Sequence, residues 1–179
     1  MRDTDLQISN NGGVFLVKVS GRANFEYAVP LRNIAKGNGE VKGIVIDLGD
    51  CTAMDSTFMG VLSMLALKGK RENTAVELFN ASSVLQKLLR ELGVLKLFVL
   101  KEGESGAGAN TQDNSEASML TKAETVSEAH QALVEADAGN QQKFGAVIDY
   151  ARADVERLKK AENKYYYCLN KSEVIHRPE

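Results

Sequence analysis

The chain has 179 residues, 44% of them hydrophobic, enough for one well-packed domain with an extension. Its formal net charge of -2, with both signs interspersed, lacks the basic excess of a sequence-independent nucleic-acid binder. No apolar run reaches the ~18 residues that cross a bilayer, and the start MRDTDLQISN has no signal-peptide core, so no membrane insertion and a cytoplasmic location are expected.

In chain order, Leu6 and Ile8 suggest a short leading strand. Asn10-Asn11-Gly12-Gly13 is a turn signal, and Val14 to Ser20 reads as the second strand of an antiparallel hairpin. A helix is expected between Asn24 and Lys36. Pro30 lacks an amide hydrogen and biases Val29 away from helical angles, so the helix proper is placed from Pro30. Ile44, Val45, Ile46 and Leu48 form a nearly continuous apolar run, as in a strand covered on both faces, with Asp47 its only charge.

From Phe58 onward, Met59, Leu62, Leu65, Ala66 and Gly69 recur at spacings of three and four. They predict a helix that starts near Asp55 or Ser56, either of which can be its N-cap. The unsatisfied first-turn amides and the helix dipole favour negative charge there, so a phosphate on Ser56 would be tolerated. Lys68-Gly69-Lys70-Arg71 reads as the cationic last turn of the same helix rather than a nucleic-acid contact. Ala75 to Phe79 is the next strand, Ser82 to Leu92 a further helix stopped by Gly93, and Leu97 to Leu100 a closing strand. The alternation implies right-handed crossovers onto a small mixed sheet.

Residues 102–116, EGESGAGANTQDNSE, hold almost nothing apolar and read as a flexible linker. Beyond it, Met119, Val126, Ala129 and Leu133 recur at helical spacing. Asp137-Ala138-Gly139-Asn140 interrupts, and Phe144, Ile148, Ala151, Val155 and Leu158 resume, which predicts a helical hairpin over 117–164. The stripe from Phe144 to Leu158 suits a helix-on-helix seam, ended by Glu162. An isolated pair buries its stripes only partly. The covering surface is either residues 1–101 of the same chain or the hairpin of a second chain, and the seam tilts the reading towards a homodimer. Residues 165–179 read as a tail.

Enzyme chemistry is not expected. Only His130 and His176 offer neutral-pH bases, and no nucleophile-elbow, phosphate-loop, dinucleotide or zinc pattern is present. His130 lies on a mostly polar helix face and reads as solvated surface. Asp47 and Asp55 are a carboxylate pair, but Asp55 has a sufficient role as a helix cap, so neither metal nor cofactor is expected. Gly103, Gly106 and Gly108 lack the preceding strand and following helix of a phosphate cradle. Cys51 and Cys168 fit no metal or redox spacing and are expected to be free thiols. From the residues alone, Ser56 is most simply a cap.

The strand from Gly43, the triplet Asp55-Ser56-Thr57 and the apolar helix with Gly60 near its start resemble the STAS domain of anti-sigma-factor antagonists, over about the first hundred residues. The resemblance implies an α/β fold: a STAS-like small mixed sheet with packed helices over 1–101, here followed by the hairpin. It also implies that Ser56 is the phosphoacceptor of an ATP-dependent serine kinase that doubles as an anti-sigma factor. A metal-dependent phosphatase removes the phosphate, and the unphosphorylated form binds the kinase. The partner surface so implied is the helix face of Thr57, Phe58, Met59 and Gly60, with Asp55, Asn24 and Asp47 flanking it. Members commonly carry a glycine two residues after the acceptor serine, where this chain has Phe58. A constitutive scaffold, or an accessory subunit of a transport ATPase, are the alternative roles.

Overall fold

The computed structural model describes residues 4–108 and 117–174, with side chains through Tyr165. Gly12 and Gly13 take φ of 60° and 95°, the positive values that a two-residue hairpin turn requires. Strand β1 (Asp5–Asn11) therefore folds back antiparallel onto β2 (Val14–Ala23). Strands β3 (Gly43–Met54), β4 (Val76–Phe79) and β5 (Val99–Lys101) follow in parallel, giving the order β1-β2-β3-β4-β5. The parallel pairings need crossovers, supplied by α1 (Ala28–Lys36), α2 (Ser56–Arg71) and α3 (Ser83–Glu91).

Helix α1 starts two residues before the position expected from Pro30. Amides of a first turn have no intrahelical partner, so the hydrogen that proline lacks is not missed there. A 3₁₀ turn at Phe25–Tyr27 leads into it, capped by the Asn24 side chain, which accepts from the Glu26 amide.

Along β3, Ile44, Ile46 and Leu48 are buried while Gly43, Val45 and Asp47 are half-buried. The strand is thus not covered equally on both faces, as its apolar run suggested. Ile8, Val17, Ile46 and Leu78 lie in register across four strands and are all buried. They share one core with Leu31 of α1, Phe58, Leu62 and Leu65 of α2, and Leu85 and Leu89 of α3, so the crossover helices gather on that face.

The other face is crossed by the segment after β5. Asn80 Nδ2 donates to the Gly103 carbonyl at 2.9 Å and its Oδ1 accepts from the Gly103 amide at 3.0 Å. Ser105 Oγ donates to Asp47 Oδ2 at 2.5 Å, and Gly108 lies close to Gln7 and Lys18. Residues 102–108 of the expected linker therefore form a strap over the sheet, whereas 109–116 lie outside the described residues.

The C-terminal part is a hairpin of α4 (Met119–Ala136) and α5 (Asn140–Val174). Helix α5 continues ten residues into the expected tail: residues 165–174 hold neither glycine nor proline, and nothing stops the helix there. His176 and the Cys168 side chain lie outside what is described. The seam from Phe144 to Leu158 is used within the hairpin, with Ile148 and Ala151 buried. Helix α4 lies on α2 of the same chain, which buries Ala129 and Leu133 of its stripe, while Met119 at its start is exposed.

Candidate functional site

The site grows from the junction of β3 and α2. The Asp55 amide donates to the Ala23 carbonyl at 3.0 Å, which ties this junction to the end of β2. Asp55 Oδ1 accepts from the Phe58 amide and Oδ2 from the Phe25 amide, both at 2.8 Å. One carboxylate thus caps α2 and fixes the loop beside it. Ser56 is the first helical residue, and its hydroxyl is left out of the capping.

That hydroxyl lies 3.0 Å from His130 Nε2, and His130 Nδ1 lies 2.8 Å from the Val126 carbonyl. A carbonyl only accepts, so Nδ1 carries the hydrogen. In the neutral ring Nε2 is then an acceptor, and Ser56 donates to it. His130 is only 2% exposed, and its ring meets that of Phe144 at a centroid distance of 5.0 Å. The expected solvated histidine is therefore a buried one. Its helix is covered on two sides, by α2 and α5, and a doubly covered helix does not show a single apolar stripe.

Helix α2 presents different materials to its two neighbours. Phe58, Leu62 and Leu65 are fully buried in the sheet core. Ser56, Gly60 and Ser63 follow one another at spacings of four and three on the side facing α4. A Cβ on Gly60 would stand 2.3 Å from the Ala129 carbonyl oxygen, so only glycine permits this approach of the two backbones. Ser63 is fully buried and donates to the Met59 carbonyl at 2.9 Å.

Charges fasten the rim. Arg32, 6% exposed, donates to Glu128 Oε2 at 2.7 Å through Nε, and through Nη2 to Glu128 Oε1 at 3.0 Å and Glu124 Oε2 at 3.1 Å. Lys36 Nζ adds a bond to Glu128 Oε1 at 2.6 Å. Burial pushes the Glu128 carboxyl up, but hydrogen bonds and charge from Arg32 and Lys36 outweigh it and hold the group below the usual glutamate range. The same pairing raises Arg32 against the effect of burial. At the other end, Asn140 Nδ2 donates to the Leu92 and Leu133 carbonyls, both at 2.8 Å, and Lys143 Nζ to the Glu91 carbonyl at 3.0 Å.

Of the residues singled out by the sequence, Asn24, Asp55 and Ser56 do meet at this junction. Thr57 and Met59 are each 7% exposed, Gly60 lies under Ala129, and Phe58 is a core residue, not a surface contact. Phe58 points to the sheet because it shares the helical stripe of Leu62 and Leu65. Asp47 stands apart, on the sheet face under the strap. Burial raises its carboxyl, but bonds from Ser105, the Gly49 amide and Asn80 outweigh it and hold the group below the usual range. Arg32, Glu124 and Glu128 were not anticipated, while Ala129 was expected only on the stripe of its own helix and His130 only as solvated surface. Among the described residues, no cluster of three or more His, Cys, Asp or Glu is placed to hold a metal. Cys51 is a buried free thiol, pushed up by burial.

A mixed sheet with its crossover helices on one face, and a serine at the start of the central crossover helix, defines a small α/β domain. Residues 6–100 match the family model described as "Mlab, STAS domain", and the chain belongs to the STAS domain family. STAS domains are typically non-enzymatic, and membership supports a regulatory or scaffolding role. Among solved structures, the unphosphorylated anti-sigma factor antagonist SpoIIAA is 15% identical, with 56% of this chain and 91% of that one covered at a TM-score of 0.49. A sulfate transporter family protein from Wolinella succinogenes is 18% identical, with 52% and 81% covered at 0.45. A DUF3478 family protein with a SpoIIAA-like fold from Shewanella loihica PV-4 is 17% identical, with 58% and 90% covered at 0.37. No curated protein matches the chain. Among the described residues, no helix is long and apolar enough to cross a membrane.

Proposed function

We propose that this STAS protein is a non-enzymatic phosphoswitch of the anti-sigma-factor-antagonist kind, with Ser56 as phosphoacceptor. The observation that carries the reading is the division of labour at the helix start. Asp55 does the capping, so the Ser56 hydroxyl is not consumed by it and the simplest structural role for that serine falls away. In the proposed reaction Ser56 Oγ attacks the γ-phosphorus of ATP held by a partner serine kinase of the anti-sigma type. The new O–P bond replaces the bond to ADP, and the hydroxyl proton passes to the kinase. A metal-dependent phosphatase returns the serine by hydrolysis. The partner surface is the start of α2 with Asn24 and Asp55 beside it, and a phosphate there brings about -1.5 to -2 charges next to Asp55. Partner affinity is lost while the helix, whose first turn favours negative charge, stays folded.

Intact mass of the protein isolated from its own cells, before and after phosphatase treatment, tests the reading. One removable phosphate, absent from Ser56→Ala, is expected. Phosphate that persists in Ser56→Ala would show the acceptor to be another residue. A Ser56→Asp protein that binds the kinase as tightly as wild type would remove the charge switch.

A further inference from the structure

We propose that the α4–α5 hairpin is a releasable cover of the Ser56 face, and that phosphate on Ser56 ejects it. The inference rests on Ser56 being the modified residue: the kinase reaches the unphosphorylated serine when the hairpin opens transiently, and the phosphate then repels the kinase while keeping the hairpin displaced. The start of α2 is only partly open to a partner, since Asp55 and Ser56 are half-buried and Thr57 and Met59 buried. His130 stands on Ser56, Ala129 stands on Gly60, and Phe144 backs the histidine ring. A partner that needs this face must first displace α4.

With Nδ1–H committed to the Val126 carbonyl, the neutral ring has no proton left to offer a phosphate. Ser56 now donates its proton to Nε2. A phosphoserine has no proton on Oγ and carries three acceptor oxygens, so the bond loses its donor and the Nε2 lone pair faces acceptors. One turn further along α2, room is scarce as well. This turn brings the α2 and α4 backbones so close that a methyl group on Gly60 would collide with the Ala129 carbonyl. The interdigitated helices cannot yield by small adjustment, so the way left to the hairpin is outward.

Release leaves the rest of the fold intact. The core of the STAS domain is made by residues from Leu6 to Phe98, to which the hairpin adds Ala129 and Leu133. Its other attachments are Ala136 and Phe144, half-buried against that core, and polar bonds involving Arg32, Lys36, Asn140 and Lys143, of which those of Asn140 are buried. The polar bonds are individually weak in net terms, because water replaces them when they open.

The test uses the full chain with phosphoserine installed at position 56 during synthesis, read by amide hydrogen exchange. Because no kinase takes part, the outcome does not depend on whether cells modify Ser56; that separate question belongs to the mass measurement above. Gly60→Val is the second protein, a wedge without charge. In both, α4 amides are expected to exchange at least tenfold faster than in wild type, with the amides of β2 and β3 unchanged. Unchanged or stronger protection of α4 in the phosphoserine protein would overturn the proposal, since the histidine would then be clamping the phosphate as an imidazolium. Protection of α4 in Gly60→Val would overturn it too, by removing the steric argument. Loss of β2 and β3 protection together with α4 would show the hairpin to be part of the fold and not a cover.

Discussion

Phe58, Leu62 and Leu65 on one side of α2 are fully buried apolar side chains, whereas Ser56, Gly60 and Ser63 on the other side offer two hydroxyls and a bare backbone. Both sides are covered, but by different physics. The first side removes large apolar areas from water and gains many dispersion contacts, which makes it a permanent joint. The second combines close backbone approach and a hydrogen bond with the burial of Ala129 and Leu133 and ion pairs at its margin, a smaller apolar contribution that leaves the joint easier to open. Burial alone therefore does not tell a core face from a docking face; what is buried does.

The sharpest way to break this comparison is to truncate each side in turn. Phe58→Ala is expected to cost about 3–5 kcal/mol and to lower the main unfolding transition in denaturant. Leu133→Ala is expected to cost about 2–3 kcal/mol, appearing as earlier exchange of α4 with the sheet transition little moved. Equal loss of sheet stability in the two variants would erase the distinction. Arg32→Ala removes the paired cation from Glu128 and Glu124, which are about a quarter exposed, so roughly 1–2 kcal/mol of hairpin docking is expected to go. Exchange of α4 amides measures it.

Acidification is the smallest lever. Glu128 has its folded value depressed by Arg32 and Lys36, so its contribution is complete above the ordinary glutamate range and is lost as pH falls through the depressed value. Docking of α4 is therefore expected to lose the Glu128 contribution below that range. Asp47 is depressed as well and sheds stability in the same acidic window, but on the strap side. Glu128→Gln separates the two: the acid-dependent part of α4 protection should vanish while that of the strap remains.

Most of the STAS half was legible because its signals are local. The Gly12-Gly13 turn and the apolar run of β3 each act within a few residues and stand where the sequence placed them, and of the two cap candidates for α2 the structure uses Asp55. The half-open sheet was hidden by Val45, whose apolar character suggested cover on a face that only a thin strap crosses. The closed state of the site was hidden for another reason. Ala123, Thr125, Ser127, Ala129 and Ala132 are buried in α4, yet small and polar residues carry almost no apolar periodicity. Glu124 and Glu128, one turn apart, look like an exposed acidic face until Arg32 is found 92 and 96 residues earlier in the chain. Gly60 was the one visible hint, since an interior helical glycine costs stability unless close packing requires it.

The strap fixes where the cover is tethered. With Ser105 bonded to Asp47 and Gly108 beside Lys18, the strap holds the chain to the sheet as far as Gly108, and α4 begins at Met119. A hairpin that lifts off therefore stays within a small volume around α2, at an effective concentration on the order of millimolar. A separate partner, competing for the same face, works against that local excess and wins only where the hairpin holds loosely. The short tether thus makes the chain its own dose-setting competitor: shortening or lengthening the segment between Gly108 and Ser118 would shift the partner concentration needed for capture without altering a single contact on the face itself.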